Sequence, residues 1–362
     1  MADLLDYLRW RGDLTLQQDP FGEVDALVLA RISYLPFKRV FARCTQPPVS
    51  LKKAVARLKA AHRQSPCLSR EDERLVELLG QSPRFYTMGI GCHVDILREK
   101  QQMQFSASTF WLGDGRLYIA FRGTDDTLIG WKENFNMTFI CPVPSQKAAV
   151  RYLHWVAERT REPLLLGGHS KGGNLAMFAA SFCSQSICRR IQIIHNFDGP
   201  GFDCTILERE GYKQMCGRMQ TYLPQASVVG LMFQHGEPYR VVQSSQTTEY
   251  LQHDIGSWMV DRNRFCYKNE LSNGSRLVDR TLKGWLEEMD TRQRQLFVDT
   301  IYQVLAQSKL QRFLAPEQDW GLVIKNLVCT IGKLDGETRK AVSRCGVLLV
   351  KNIHKNIGLF GP

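Results

Sequence analysis

No apolar run reaches the length of about 18 residues that a membrane-crossing helix needs, so none is expected in this chain of 362 residues. The opening, MADLLDYLRWRGDL, carries acids and lacks an apolar centre. A signal peptide is therefore not expected, and a cytoplasmic location is. Cysteine is plentiful at eleven, but the number is odd and no C-x-x-C occurs. Cys183 and Cys188 have no matching pair of ligands elsewhere. The spacings argue against a structural zinc site and against a disulfide framework, and favour reduced thiols. Internal repeats, low-complexity linkers and nucleic-acid module signatures are also lacking. The net charge of +11 is spread along the chain and not gathered into a tail. Nucleic acid is not an expected partner; an anionic membrane surface is the more interesting one.

What is present centres on residues 161–180, REPLLLGGHSKGGNLAMFAA. A short apolar run, Leu164 to Leu166, leads into Gly167-Gly168-His169-Ser170-Lys171-Gly172-Gly173, and a helix-like run follows. Strand, glycine-flanked serine and helix is the context in which G-x-S-x-G becomes a nucleophile elbow. Gly168 and Gly172 let strand and helix approach closely, and Ser170 sits at the tip. The start of the next helix offers free N–H groups to a developing oxyanion. Taken alone the motif is a weak signal, and a glycine-rich strand-to-helix turn with an ordinary serine is its other reading.

The chain around it reads as three spans: a mostly helical N-terminal region over 1–100, an α/β core over 101–273 and a helical C-terminal region over 274–362. Helices are expected over Asp25 to Ile32, Leu51 to His62 after a Ser50 cap, and Ser69 to Leu79 with an acidic first turn. Met103 to Trp111 and Arg116 to Phe121 read as a hairpin around Gly113-Asp114-Gly115. Ser145 to Glu158 is the helix before the elbow strand. Strands are expected over Ile191 to Phe197, Arg218 to Leu223 and Tyr239 to Gln243. Arg276 to Glu288, Thr291 to Leu310 and Leu322 to Ile331 read as helices. The closing run, Arg339 to Phe360, is basic and amphipathic. It fits a helix on an anionic membrane surface, or a core-facing helix with a solvated Lys/Arg face.

The second strand of the hairpin ends in Phe121-Arg122-Gly123-Thr124-Asp125, and a segment containing Trp131 follows. FRGT after a strand, a Trp segment, a helix and then GHSxGG is similar to the class 3, fungal-type lipases. The opening LLDYLRWRGDLTL, the elbow GHSKGGNLA, and the DGPGF and QHD stretches resemble the Mbeg1-like family of lipase-like α/β-hydrolases, from the N-terminus to about residue 262. The resemblance implies an α/β-hydrolase fold. It also implies a nucleophile at Ser170 and oxyanion donors at Thr124 and at the backbone N–H of Lys171. It carries no established substrate. The Lys171 side chain reads either as solvent-pointing or as an attraction for an anionic head group or carboxylate.

The resemblance departs at the acid. The position that matches the lipase aspartate is Ser227, and no Asp occurs between Asp203 and Asp254. Asp198 stands at the carboxyl end of a strand, where ligands and catalytic groups collect in open α/β sheets. It is the first substitute, Glu237 is a second, and a site without an acid is the third reading. His253, in a loop after the last core strand, is the expected base, and His235 competes with it. His195 lies within a strand and reads as a core histidine.

The expected fold is α/β: an α/β-hydrolase with a mostly parallel central sheet, a helical N-terminal region and a helical C-terminal appendage. The expected function is a serine carboxylester hydrolase acting on a lipid or other acyl ester through Ser170, His253 and Asp198, without metal or organic cofactor. Two other readings keep the fold: a binding or scaffold module, and a thioesterase, peptidase or acyltransferase using the same serine.

Overall fold

The computed structural model describes residues 2–125, 127–248, 251–307, 332 and 336–357. Its strands are β1 Val49–Ser50, β2 Gly89–Arg98, β3 Met103–Trp111, β4 Leu117–Phe121, β5 Leu164–His169, β6 Ile191–Phe197, β7 Met219–Pro224, β8 Tyr239–Val242, β9 Val260–Asp261, β10 Arg264–Phe265 and β11 Tyr267–Lys268. The main sheet runs β1-β2-β3-β4-β5-β6-β7-β8-β11, and β9 pairs with β10 apart from it. From β4 to β8 every pairing is parallel. β1 with β2, β3 with β4 and β8 with β11 are antiparallel.

The register brings one end of the sheet together. Phe121 pairs with Gly168, His169 with Phe197, and Phe197 with Tyr222. The turns that carry Gly123, Ser170 and Asp198 therefore leave from neighbouring carboxyl ends, where an open α/β sheet forms its crevice. The chain has an α/β-hydrolase fold, with a mostly parallel central sheet, a helical N-terminal region and helices at its C-terminal end.

The chain divides into two compact units. The first comprises Met1–Ile96, Phe105–Gly123 and Ser145–Ser272; the second comprises Leu97–Gln104, Thr124–Pro144 and Asn273–Pro362. In the first unit the helix Glu23–Ile32 buries Val24 through Ala30 and Ile32 and packs on β4, β5 and β6. Apolar residues on all its faces mark a helix that is enclosed on all sides. The helix Leu51–Gln64 buries only Leu51, Ala54, Val55 and Leu58, one stripe at helical spacing, and Ser50 caps it by accepting from the Lys53 N–H. The helix Arg70–Gln81 starts from a Ser69–Asp72 capping box. β1 and β2 lie in the region read as mostly helical. Their strand form comes from pairing with each other and from the place of β2 beside β3, which no local pattern specifies.

Arg84 is the anchor of the N-terminal helices. Its side chain is fully buried and takes both oxygens of buried Asp25 at 2.6 Å. It also donates to the carbonyls of Leu14, Asp19 and Pro20 at 3.1, 2.9 and 3.2 Å. Burial works against its charge, and the paired Asp25 carboxylate outweighs it, raising the guanidinium pKa further. Arg84→Met strands the Asp25 carboxylate in the interior with the Tyr7 hydroxyl as its remaining side-chain donor. The expected loss of stability in urea unfolding is about 3–5 kcal/mol, with part regained in Asp25→Asn/Arg84→Met. A loss below about 1 kcal/mol would show that the pair does not hold these helices.

In the second unit the helices are Leu128–Asn136, Asn273–Glu287, Thr291–Gln307 and Gly336–Ile357. Trp285 Nε1 donates to the Cys345 carbonyl at 2.8 Å, and Arg294 to that of Thr138 at 2.8 Å. On Gly336–Ile357, Val342, Cys345, Asn352 and Asn356 are buried, whereas Arg339, Lys340, Arg344, Lys351 and Lys355 are exposed. That is the pattern of a core-facing helix with a solvated basic face. Residues 358–360 of the closing run, 308–310 of the preceding helix and the expected helix over Leu322 to Ile331 lie outside the described residues. No helix among the described residues is long and apolar enough to cross a membrane.

Candidate active site

Ser170 stands between β5 and the helix Lys171–Ser181, with φ +57° and ψ −132°. A residue with a β-carbon rarely adopts this conformation, and it is the strained turn that presents a serine at an elbow. The glycines make the turn feasible. A β-carbon on Gly168 or on Gly172 would collide with the Phe121 carbonyl at the end of β4. Gly123, two residues past β4, lies directly beside the serine: a β-carbon there would be 3.1 Å from Ser170 Cβ.

Asp198 follows β6 at φ +50° and is completely buried. Its Oδ2 lies 2.6 Å from His253 Nδ1. Its Oδ1 accepts from Ser227 Oγ at 2.5 Å and from the Gly230 N–H at 3.1 Å. A carboxylate only accepts, so His253 Nδ1 carries the proton, and Nε2 is the nitrogen free to act as a base. The His253 side chain is 22% exposed. Ser227, the position read as the usual place of the acid, is thus a hydroxyl that helps to hold the Asp198 carboxylate.

His169 ties His253 to the elbow. The two rings lie 4.5 Å apart, and His169 Nε2 donates to the His253 carbonyl at 2.8 Å. Burial holds the His169 pKa well below its ordinary value. The ring is thus neutral, and its Nδ1 accepts from the Tyr34 hydroxyl at 2.9 Å. Tyr34 and His169 are 135 residues apart, and nothing in the sequence signals their meeting. Ser170 Oγ forms no hydrogen bond among the described residues. The structure thus joins Asp198 to His253 and packs the His253 ring on His169, the residue before Ser170, without a serine–histidine hydrogen bond among the described residues.

His235 and Glu237 form a second pair, at 2.7 Å. His235 Nε2 is committed to the Gly230 carbonyl at 2.6 Å, so this ring has no nitrogen to offer a serine. Lys171 is 1% exposed and does not reach into solvent, contrary to the reading of a helix-start lysine. Its backbone N–H is in the first turn of its helix, where no intrahelical acceptor exists. Thr124 falls in the second unit, where its Oγ1 donates to Asn134 Oδ1 at 2.8 Å. His195 is a core residue packed between Tyr118 and Phe197, and burial pushes its pKa down to about 3. Among the described residues no group of three His, Cys, Asp or Glu could hold a metal ion.

Comparison with known proteins adds a family. No curated protein matches the chain. Among solved structures it is similar to the crystal structure of M37 lipase, at 14% identity over 57% of this chain and 68% of that one, with a TM-score of 0.36. The family model described as Mbeg1-like matches residues 79–303. The match contains the FRGT segment, the elbow, Asp198 and His253, and begins after the opening LLDYLRWRGDLTL. It spans more than half of the sequence, and the chain belongs to the Mbeg1-like family.

Proposed function

We propose that the chain is a serine carboxylester hydrolase acting on a lipid or other acyl ester. The observation that carries this reading is the 2.6 Å bond between buried Asp198 and His253 Nδ1, with the His253 ring packed on His169, the residue before a serine at positive φ. Ser170 Oγ attacks the acyl carbonyl while His253 Nε2 takes its proton. The Lys171 N–H, in the first turn of its helix, donates to the oxyanion, and Asp198 holds the imidazolium that forms. His253 then gives its proton to the departing alcohol. Water, deprotonated by the same nitrogen, attacks the acyl-serine, and the carboxylic acid leaves. None of these steps asks for a metal or an organic cofactor.

The test is labelling of the purified protein by a fluorophosphonate, with the adduct mapped by peptide mass, alongside turnover of short and long p-nitrophenyl esters. An adduct on Ser170 with ester turnover is the expected result, and the preferred chain length then narrows the substrate. A folded protein that neither labels nor turns over would support a binding module instead. The unbonded Ser170 Oγ favours that second reading. Ser227 weighs less toward it, because its hydroxyl donates to Asp198. Ser227→Ala leaves Asp198 the Gly230 N–H, so a loss in kcat of about tenfold or less is expected. A loss above a hundredfold in steady-state kinetics would mean that Ser227 does more than support the acid.

A further inference from the structure

The His235–Glu237 pair takes no part in the reaction above, yet it is built with full hydrogen bonding. His235 Nδ1 faces a Glu237 carboxylate oxygen and Nε2 faces the Gly230 carbonyl. Both partners only accept, so both ring nitrogens carry protons and the ring is an imidazolium. The Glu237 side chain is completely buried. It also accepts from Thr221 Oγ1 at 2.6 Å and from the Tyr212 hydroxyl. Burial alone would raise the Glu237 carboxyl, but the bonds and charge of His235, with Thr221 and Tyr212, bring it below its ordinary value. Tyr212 and Cys216 face the pair from the helix Glu210–Cys216, and burial pushes both up, so both are neutral. Through Gly230 the pair also faces the charge of Asp198.

Gly230 links the two histidine–carboxylate pairs. Its carbonyl is held by His235, and its N–H donates to Asp198 Oδ1. A β-carbon on Gly230 would collide with that carboxylate. We propose that His235 is a positioning residue: its doubly protonated ring fixes Gly230, whose N–H with the Ser227 hydroxyl saturates Oδ1 of Asp198 and leaves Oδ2 for His253. This rests on the reading that Asp198 orients His253. A buried ion pair adds little net stability over an apolar pair of the same shape, and geometry is the property it secures here.

The consequence is a set basicity for His253. In His235→Gln the cation is lost and Gly230 is held less firmly. Asp198 then keeps Ser227 as its firm donor and becomes more basic. Both changes strengthen its hold on the His253 imidazolium, so they raise the His253 pKa together. Nitrogen-15 NMR of the histidine rings in wild type and His235→Gln reads this without any need for turnover. The expected result is a His253 titration moved up by roughly half to one pH unit. The acidic limb of kcat/KM moves with it, and kcat falls about tenfold at unchanged KM.

An unmoved His253 titration in folded His235→Gln overturns the proposal. So does a wild-type His235 ring carrying one proton at pH 7. Should the variant not fold, Glu237→Gln removes the counter-charge, and His235 is then expected to lose its second proton at a lower pH than in wild type; an unchanged His235 titration overturns the proposal. A wild type that binds no fluorophosphonate and turns over no ester sinks the esterase reading alone, because the ring titrations remain the measure of this one.

Discussion

Replacing Ser170 by alanine is expected to abolish fluorophosphonate labelling and lower ester turnover by about 10⁴-fold or more. Removing a nucleophile that works with its base and acid as a unit costs nearly everything the unit supplies, and oxyanion donors and binding account for the remainder. The variant should keep its fold. Alanine removes one oxygen, and Ser170 Oγ forms no hydrogen bond among the described residues. The backbone strain at φ +57° is common to both residues. Circular dichroism and urea unfolding, run beside the kinetics, should therefore match wild type. Turnover within tenfold of wild type by a folded Ser170→Ala protein would remove the elbow serine from the chemistry.

Asp198→Asn is expected to cost about 10⁴-fold in kcat/KM, and the geometry gives the reason. Two donors, Ser227 Oγ and the Gly230 N–H, converge on Oδ1. They fix which way an asparagine amide must point: oxygen toward them, NH₂ toward His253. His253 Nδ1 must then accept, which moves its proton to Nε2, the nitrogen that takes the serine proton in the proposed reaction. The base is lost by a change of tautomer with little change of shape. Ester kinetics over a range of pH measure the effect, and a folded variant within tenfold of wild type would show that Asp198 is not the acid.

These two residues differ in how far the sequence exposed them. Ser170 was readable because the elbow is local: two glycines, a serine and an apolar run are neighbours in the chain, and the close approach to Phe121 demands the glycines. Asp198 and His253 were readable as partners in one site from the places of β6 and β8, since the ends of parallel strands are where such groups collect, and the structure joins them. The atoms through which they meet over 55 residues were not readable, because these depend on the paths of the intervening loops. The meaning of Ser227 was hidden for the same reason, as was the assignment of His235 and Glu237 to a pair of their own. Helices with strong caps were placed within a few residues, as Ser50 and Ser69 show. β2 was not, since strand form there depends on a tertiary neighbour. The burial of Lys171 ran against its charge and its position at a helix start, the two signals a sequence offers.

The enclosed helix Glu23–Ile32 has a consequence for the order in which the protein can be made. It is translated before the strands that cover it, β4 to β6, which run from Leu117 to Phe197. At about 5–20 residues per second, the ribosome takes roughly ten to thirty seconds to deliver them after the helix has emerged. Throughout that interval the run VDALVLARI has no sheet to cover it and is open to holdase chaperones and to pairing with other nascent chains.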